Sequence, residues 1–371
     1  MQYNCEKCSK KFTSLNKYTL HINRKTPCNR NKIKIIIEHD DDDKSDITNT
    51  NNTLVKETLA FEFKKEDIIK PILKWVGGKT QILDKLISEF PTEINNYHEI
   101  FLGGGSVLIT LLYYVKCGII KLHGTIYAYD YNEPLIHIYK NIQHHHHHKE
   151  LYNKLQDIIR EFNDCPAKGE INRKPKNITE AKITRENYYY WMRNQYNMLS
   201  SLEKTTPLGS AMFIFLNKTC FRGIFRIGPN GFNVPYGHYN KPEIINKSHL
   251  EDLHVLFQNV IFECLDFNSS LSRVIEGDYV YIDPPYASET NKSFVGYTES
   301  GFDINNHKKL FELIHGLTSS NKKMMLSNAD VSLVRDNFKN ESYNISSILC
   351  KRSINSKNPE SKALEVIIKN Y

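Results

Sequence analysis

Apolar and polar positions from about residue 70 onward follow two periods, one typical of buried strands and one typical of helices. Four short apolar runs rich in β-branched and aromatic residues each lead into a glycine or an aspartate, and they occupy residues 97–101, 125–129, 260–265 and 279–282. Helical patterns lie between them, for example over residues 107–115 and 307–315. Strands that alternate with helices in this way predict an α/β fold with a parallel sheet.

The residues that follow these strands are candidates for ligand binding. A glycine loop and three aspartates come after the four runs, namely Gly103-Gly104-Gly105, Asp130, Asp266 and Asp283. Ligands of parallel α/β sheets bind at the carboxyl ends of the strands, so these groups are expected to converge on one crevice. The glycine loop and Asp130 match the adenosine-binding half of a Rossmann-like fold, although each feature alone also fits a tight turn or a helix cap. The pattern leaves open whether the cofactor is a nicotinamide dinucleotide or S-adenosylmethionine.

Composition narrows the class of protein. Of the 371 residues, 40% are hydrophobic and 25% are charged, which excludes a mainly disordered, collagenous or disulfide-stapled chain. No apolar run approaches the roughly 18–20 residues that span a bilayer, and the polar start does not resemble a signal peptide. With eight cysteines and no such signal, we expect a soluble intracellular protein in a reducing compartment, without a membrane partner.

Charge is concentrated at the start of the chain. Residues 1–34 contain nine lysines or arginines and one acid, a net charge of +8, while the whole chain carries +7, so the remaining residues sum to −1. A short basic segment on a nearly neutral body indicates a module that binds a polyanion.

This basic segment has the ligand spacing of a zinc site. A Cys-x2-Cys-x12-His-x6-Cys pattern is formed by Cys5, Cys8, His21 and Cys28, a soft N/S set that suits tetrahedral Zn²⁺. Aromatic residues stand where a ββα finger keeps its small core, at Tyr3, Phe12 and Tyr18. The segment resembles such a finger with a cysteine as its last ligand, and the zinc is expected to be structural because so short a chain does not fold without it. DNA, RNA and protein are all open as partners, and the lysines and arginines favour nucleic acid.

These patterns predict a zinc finger at residues 1–34, a linker at 35–69 and a catalytic domain at 70–371. Within the catalytic domain, an insertion is predicted at about residues 151–250. The linker is acidic in part and has few groups to bury. The insertion interrupts the strand pattern, and its Tyr188-Tyr189-Tyr190-Trp191 cluster is expected to pack internally more than to stack on nucleotides. The five histidines at 144–148 are expected to form a solvated loop or a helix end, with metal binding as the alternative.

Asp283-Pro284-Pro285-Tyr286, directly after the last buried run, is the most specific signal. Two successive prolines fix φ and remove two backbone donors, which leaves a rigid turn whose carbonyls can accept hydrogen bonds. A carboxylate and a proline carbonyl can together accept both hydrogens of an amino group, and the tyrosine offers an aromatic face to a flipped-out base. The tetrapeptide resembles the catalytic motif of the Dam-type DNA adenine methyltransferases.

The resemblance to this family covers nearly all of residues 70–371, with several motifs in the family's order. The matching segments are residues 74–79, 101–106, 215–221, 231–237, 326–328 and 352–354. The resemblance implies a Rossmann-like fold of the class I S-adenosylmethionine-dependent methyltransferases, with an inserted DNA-recognition domain. It also implies a set of cofactor-binding residues, which are Trp75, Lys79, Phe101, Gly103, Gly105, Asp130, Asp266 and Asp283. In that set Asp130 binds the ribose and Asp266 accepts from the adenine of the cofactor.

The same resemblance assigns catalysis and DNA binding. Asp283, Pro284 and Tyr286 are the implied catalytic residues, and the reaction moves a methyl group from S-adenosylmethionine to the exocyclic amino group of a flipped adenine. Double-stranded DNA is the implied partner, and the contacting residues are Lys74, Phe221, Arg222, Arg226 and Pro235. The expected target is a short palindrome, GATC by preference, in the setting of a restriction–modification system. The protein is expected to be monomeric.

Two residues of the recognition segment bear most on the target site. The resemblance implies that Phe221 enters the duplex and that Arg226 reads a guanine, which a bidentate guanidinium suits. Arg222 stands where the family usually has an asparagine. It therefore has two open roles, one at the orphaned partner base and one at a backbone phosphate.

The mechanism follows from the chemistry of the amino group, whose lone pair is delocalised into the adenine ring. Hydrogen bonds to Asp283 and to the Pro284 carbonyl favour a tetrahedral nitrogen, so positioning and electrostatics are expected to supply most of the catalysis. Two other functions stay open, an amino methyltransferase acting on cytosine, RNA or protein amide, and an inactive DNA-binding regulator. Asp283 in place of an asparagine speaks against the first, and the joint presence of Lys79, Asp130 and Asp283 speaks against the second.

Overall fold

A computed structural model describes residues 65–287, 302–351 and 362–371, together with the backbone of two short strands, Tyr3–Asn4 and Lys11–Phe12. The chain divides into two compact units, Met1–Asp67 with Lys116–Gly118, and Ile68–Val115 with Ile119–Tyr371.

The first unit contains an antiparallel pair of short strands and a 3-10 turn. Tyr3 stands opposite Phe12 in the strand pair, and the turn spans Lys65–Asp67. The predicted zinc ligands lie outside the described residues, and they are Cys5, Cys8, His21 and Cys28.

The second unit is built on a seven-stranded sheet. Its strands in chain order are β1 (Tyr97–Glu99), β2 (Ile126–Asp130), β3 (Val260–Cys264), β4 (Tyr279–Ile282), β5 (Lys323–Ala329), β6 (Asn344–Lys351) and β7 (Lys362–Lys369). Their spatial order is β3-β2-β1-β4-β5-β7-β6. The first five strands in this spatial order, β3, β2, β1, β4 and β5, are parallel to their neighbours. Strand β7 runs antiparallel to both β5 and β6. This mixed sheet confirms the predicted Rossmann-like α/β class.

Helices follow the strands and cover the sheet. In chain order they are α1 (Leu83–Ser88), α2 (Ser106–Lys116), α3 (Glu133–Gln143), α4 (His147–Asp164), α5 (Ile178–Ala181), α6 (Arg185–Met198), α7 (Ser201–Lys204), α8 (Pro207–Thr219), α9 (Lys247–Leu256), α10 (Phe267–Leu271), α11 (Ile304–Ser319) and α12 (Ser332–Asn337). Phe221–Gly223 forms a 3-10 turn. Two small strand pairs complete the unit, Glu93–Ile94 with Lys121–Leu122 and Ile227–Gly228 with Gly231–Phe232.

The central strands are buried on both faces, which is why they read as continuous apolar runs. Successive residues of β4 alternate between two hydrophobic cores, because side chains of a strand point to opposite faces. Tyr279 and Tyr281 belong to one core, and Val280 and Ile282 to the other. Strand β4 is thereby fixed by packing on both sides, and the turn that follows it starts from a rigid base.

The segment between β2 and β3 contains the predicted insertion. It forms α3 to α9 and the small hairpin, and none of its described residues joins the central sheet. Its side chains nonetheless share a core with the sheet, since Phe162 and Phe215 belong to the same cluster as Leu108 and Ile126. Tyr188 of α6 is fully buried there, as the prediction of internal packing for its aromatic cluster requires.

Candidate active site

The site lies where the strand order of the sheet reverses. Strands β1 and β4 are parallel neighbours at the centre, with Glu99 opposite Tyr281, and the chain leaves them toward opposite sides of the sheet. Ligands of open α/β sheets bind at such a switch point. A cavity of about 610 Å³ opens there, within the size range of small-molecule sites. Its walls are residues 75–79, 99–104, 106–107, 130–132, 265–268 and 283–286, with Phe302, Asn306 and Lys309.

The turn after β4 carries the predicted catalytic residues into this cavity. Asp283, Pro284 and Tyr286 all line it. Two side chains, one from β5 and one from β7, accept hydrogen bonds from this turn. The amide oxygen of Asn328 in β5 accepts from the backbone N–H of Ala287 at 3.0 Å, and the carboxylate of Glu365 in β7 accepts from the Tyr286 hydroxyl at 2.7 Å. The sheet therefore fixes both the turn and the orientation of the tyrosine ring.

Lys79 and Asp283 form a close ion pair at the floor of the cavity. The Lys79 ammonium lies 2.5 Å from Oδ2 of Asp283, donates to the Gly77 carbonyl at 2.9 Å, and sits 4.9 Å from the centre of the Tyr286 ring. Lys79 is 3% exposed and Asp283 17%. The second carboxylate oxygen, Oδ1, is buried and has no hydrogen-bond partner among the described residues. The carboxylate thus has one oxygen fixed by the lysine and one able to accept from a ligand.

Two opposing effects set the protonation of Asp283. Burial raises the pKa of its carboxyl to about 6, although the neighbouring Lys79 ammonium favours the charged form. Around neutral pH the carboxylate is therefore mostly ionised, and it protonates under mildly acidic conditions.

Glu99, which the sequence analysis missed, is a fourth acid in the cavity wall, beside Asp130, Asp266 and Asp283. It is 2% exposed at the end of β1, and its Oε2 accepts from the Tyr97 hydroxyl at 2.8 Å. Burial raises the pKa of its carboxyl to about 8, with the Asp283 charge acting in the same direction. Glu99 is thus neutral at pH 7. A charged residue type within an otherwise buried apolar run was the signal that could have revealed it.

The glycine loop after β1 is shaped by its neighbours. Gly103 has φ +49°, and a Cβ there would lie 2.8 Å from the Trp75 ring, so the loop and the tryptophan pack without room for a side chain. The N–H of Gly103 donates to Oδ2 of Asp130 at 2.9 Å, and Oδ1 of Asp130 accepts from the Asn132 N–H at 2.9 Å. Burial raises the pKa of the Asp130 carboxyl, while these backbone donors oppose the rise.

Gly105 occupies a different place from the one its predicted role implies. It is absent from the cavity wall, and a Cβ there would lie 3.0 Å from the hydroxyl of Tyr139. That hydroxyl in turn donates to the Gly103 carbonyl at 2.8 Å. Among the described residues, Gly105 therefore contributes to the packing of the loop. The other seven predicted cofactor residues line the cavity, namely Trp75, Lys79, Phe101, Gly103, Asp130, Asp266 and Asp283.

Aromatic side chains form the opposite wall. Phe101 lies 6.1 Å from Phe267 and 5.8 Å from Phe302 between ring centres, and the last two rings are 5.7 Å apart. Asp266 begins α10, and its carboxylate accepts from the Ser269 N–H at 2.8 Å, so it caps this helix as well as lining the cavity. Phe302, together with Asn306 and Lys309 of α11, was missed by sequence reasoning because only the tertiary fold brings this helix to the cavity.

The predicted DNA-binding residues gather outside the cavity, around the turn that follows α8. Phe221 is 44% exposed, and its N–H donates to the Pro235 carbonyl at 2.8 Å. Arg222 has φ +57°, a left-handed conformation that asparagine adopts more readily than arginine, and its guanidinium lies 5.3 Å from the Phe221 ring. The turn thus presents an aromatic ring and a cation side by side.

Arg226 and Lys74 stand on either side of this turn. The Nε of Arg226 donates to the amide oxygen of Asn233 at 2.6 Å, which fixes one edge of the guanidinium on the small hairpin. The ammonium of Lys74 lies 4.2 Å from the centre of the Tyr239 ring. Both cationic side chains are exposed.

The histidine run forms a helix end, as predicted. His144 follows α3 directly and stacks on His147 at 3.9 Å, while His148 in the first turn of α4 stacks on His254 at 3.9 Å. In the part of the chain that the structure describes, no group of three or more His, Cys, Asp or Glu side chains is placed to hold a metal ion. No helix there is long and apolar enough to cross a membrane.

A glycine loop after β1, an acid at the end of β2 and an Asp-Pro-Pro-Tyr turn after β4, all at one switch point, define a methyltransferase of the class I fold. The chain belongs to the family of D12 class N6 adenine-specific DNA methyltransferases, which matches residues 75–354.

Three relatives are each similar to this chain over most of their own length. A type II methyltransferase, M.MjaIII of Methanocaldococcus jannaschii, is 34% identical over 82% of this chain and 99% of its own. The retron Ec67 DNA adenine methylase of Escherichia coli is 29% identical over 80% and 90%. The DNA adenine methylase of Escherichia coli strain K12 is 27% identical over 81% and 95%.

Proposed function

We propose that the protein methylates the exocyclic amino group of adenine in double-stranded DNA, with S-adenosylmethionine as the methyl donor. The observation that carries the proposal is the Asp283 carboxylate, which has one oxygen bound by Lys79 and the other buried without a partner among the described residues. A buried acceptor of this kind is costly unless a ligand satisfies it, and an amino hydrogen does so.

The residues of the cavity fit the proposed cofactor. Asp130 and Asp266 offer carboxylate oxygens to hydroxyl and amino groups, Trp75 and Phe101 offer aromatic surface, and the bare backbone at Gly103 allows close approach. Lys79, which lines the cavity and holds Asp283, would contact the cofactor. When bound, S-adenosylmethionine supplies an electrophilic methyl group.

The catalytic turn would act on a flipped adenine. In this proposal Oδ1 of Asp283 and the Pro284 carbonyl accept the two amino hydrogens, which localises the lone pair of the nitrogen. Tyr286, held by Glu365, stacks on the base and offsets part of the few kcal/mol spent on unstacking it. Lys79 keeps the Asp283 carboxylate oriented and favours its ionised state.

DNA recognition is proposed for the turn after α8 and the small hairpin. Exposed Phe221 would enter the duplex beside the flipped base, Arg226 would read a guanine, and Arg222 would contact the orphaned base or a phosphate. Lys74 and Pro235 border this surface. A short palindrome, GATC by preference, is the proposed target, and a DNA substrate places the action inside the cell.

The N-terminal segment is proposed to hold a structural zinc ion and to add DNA affinity. The ligand spacing and the +8 charge of residues 1–34 support this role, and the antiparallel pairing of Tyr3–Asn4 with Lys11–Phe12 is compatible with it.

The proposal is tested by incubating the purified protein with labelled S-adenosylmethionine and unmethylated DNA, then mapping modified bases by single-molecule sequencing. Methyladenine at one short palindrome is the expected result, and Asp283→Ala should abolish it while DNA binding stays within about threefold of the original affinity, because phosphate contacts dominate that affinity. Label on cytosine, RNA or protein, or substantial transfer by the Asp283→Ala variant, would contradict the proposal.

A further inference from the structure

A buried asparagine joins the two parts of the site that the proposed function uses separately. Asn217, near the end of α8, is 2% exposed. Its amide oxygen accepts from the Lys74 N–H at 2.9 Å, and its amide nitrogen donates to the Lys74 carbonyl at 2.8 Å and to the Gly223 carbonyl at 3.1 Å. One side chain therefore binds both the cavity segment, residues 74–79, and the recognition turn, residues 221–226.

The two segments also touch directly at this point. A Cβ on Gly223 would lie 2.4 Å from Cβ of Lys74, and Gly223 has φ +65°, so only glycine fits there. Close to this contact, the Trp75 ring stacks on the Phe225 ring with 5.5 Å between their centres. The contact has no spare room, and a shift of the recognition turn must displace the cavity segment.

The cavity segment carries that displacement to the catalytic pair. Trp75 packs against the glycine loop, the Trp75 carbonyl accepts from the Gly78 N–H at 3.3 Å, and the next residue is Lys79, whose ammonium holds Asp283. A short, hydrogen-bonded turn thus separates the residue bound by Asn217 from the residue that orients the catalytic carboxylate.

We infer that Asn217 is a positioning residue that couples the recognition turn to the cofactor cavity, so that binding of DNA strengthens binding of the cofactor and the reverse. The inference rests on the proposed function, since it takes DNA and cofactor as the two ligands. Coupling between two sites is reciprocal, and its size is the ratio of cofactor dissociation constants without and with DNA. A purely structural asparagine would alter stability or both affinities and leave that ratio unchanged.

Asn217→Asp is the test variant, because it keeps the shape of the side chain and replaces the amide donor with an oxygen that faces two carbonyls. Asn187 supplies a matched control in the first turn of α6, and it is fully buried. Its amide oxygen accepts from the Asn172 N–H at 2.9 Å, and its amide nitrogen donates to the Glu170 carbonyl at 3.1 Å and to the Glu180 carbonyl at 3.3 Å. None of these three bonds involves the cavity segment, the recognition turn or the small hairpin.

The measurement is the dissociation constant of S-adenosylhomocysteine, by titration calorimetry, without and with an unmethylated duplex that carries the methylation site. The full-length original protein and Asn187→Asp are expected to bind at least about fivefold more tightly with DNA, and Asn217→Asp to change by less than about twofold. Unchanged coupling in Asn217→Asp, or its equal loss in Asn187→Asp, would overturn the inference.

A second variant covers the case in which Asn217→Asp fails to fold, as judged by its thermal unfolding. Gly223→Ala drives a methyl group against Lys74 from the other side and should lower the coupling ratio in the same direction; a ratio equal to that of the original protein counts against the inference. An original protein that binds both ligands without coupling contradicts the inference alone, whereas one that binds no S-adenosylhomocysteine contradicts the proposed function as well.

Discussion

At the scale of single residues, burial and the Lys79 ammonium have opposite effects on the pKa of the Asp283 carboxyl. Burial raises the pKa of Asp283 to about 6, and Lys79 prevents a larger rise. The ionised form is the one that can accept an amino hydrogen, so the active fraction grows as pH rises through that value.

A pH–rate profile tests this assignment. We expect kcat/KM for methyl transfer to rise with unit slope below about pH 6 and to level above it. Asp283→Asn, which cannot ionise, should lose roughly 100–1,000-fold in rate and show no such slope. Initial rates on one duplex from pH 5 to 8 give both results. A profile of the original protein that is flat across that range would show that Asp283 does not titrate there.

Glu99 offers a prediction about stability. Its carboxyl is protonated in the folded protein up to about pH 8, whereas an exposed glutamate ionises near 4.5. The folded state therefore holds an extra proton between these values, and the free energy of unfolding falls as pH rises through the interval. Glu99→Gln, which is neutral throughout, should match the original protein near pH 4.5 and exceed it at pH 8 by more than about 1.4 kcal/mol, the equivalent of one pKa unit.

Thermal or denaturant unfolding at the two pH values measures that difference. Glu93→Gln is the control, because Glu93 is exposed beside Lys121 and its pKa is lowered, so no gain toward pH 8 is expected. Equal stability of Glu99→Gln and the original protein at pH 8 would mean that folding does not raise the pKa of Glu99.

At the scale of elements, the small hairpin and the residue that follows it orient the side chain of Arg226. Asn233 binds one edge of the Arg226 guanidinium, and Arg226→Lys removes the planar fork that a guanine edge requires. We expect Arg226→Lys to lose about 1–3 kcal/mol of discrimination at a single base position, with smaller effects elsewhere in the site. The measurement is kcat/KM on duplexes with single-base substitutions. Arg160→Lys on α4, an arginine paired with Asp157, is the control.

Elements with strong local signals were predictable from the sequence. The strand that ends at Asp130 and the strand before Asp283 have apolar runs because most of their residues are buried on both faces, whereas the edge strand before Asp266 alternates buried and exposed residues. The end of each of these strands is where a parallel sheet binds ligands. Local patterns do not encode contacts between distant segments, and Asn217 and Phe302 act through such contacts. The sequence pattern also could not show why a glycine is needed at position 105. A Cβ there would lie 3.0 Å from the Tyr139 hydroxyl, so the packing against Tyr139 accounts for the glycine.

At the scale of the whole molecule, the charge and the catalytic machinery belong to different parts of the chain. The described cavity and its recognition turn lie within Ile68–Val115 and Ile119–Tyr371, a compact unit with its own cores. The +8 charge lies in residues 1–34. Affinity that comes from those charges should depend steeply on salt and little on sequence. The methyl-transfer step on saturating DNA should not depend on those charges.

Loss of the proposed zinc separates the two contributions. Cys8→Ser in the full-length chain should reduce bound zinc from one per molecule to none, because a finger of this length does not hold the ion with an incomplete ligand set.

DNA affinity at low salt should fall about tenfold or more, and the slope of log affinity against log salt should become shallower by about 0.9 for each phosphate that the finger no longer neutralises. Transfer on saturating DNA should stay within about twofold, since the cavity and the catalytic pair are untouched. Anisotropy titrations from about 50 to 200 mM salt, with Cys165→Ser as the control at a free cysteine of the other compact unit, measure these effects. If Cys8→Ser keeps both its zinc and its salt slope, or the original protein contains no zinc, the N-terminal segment is not a zinc-dependent DNA-binding module.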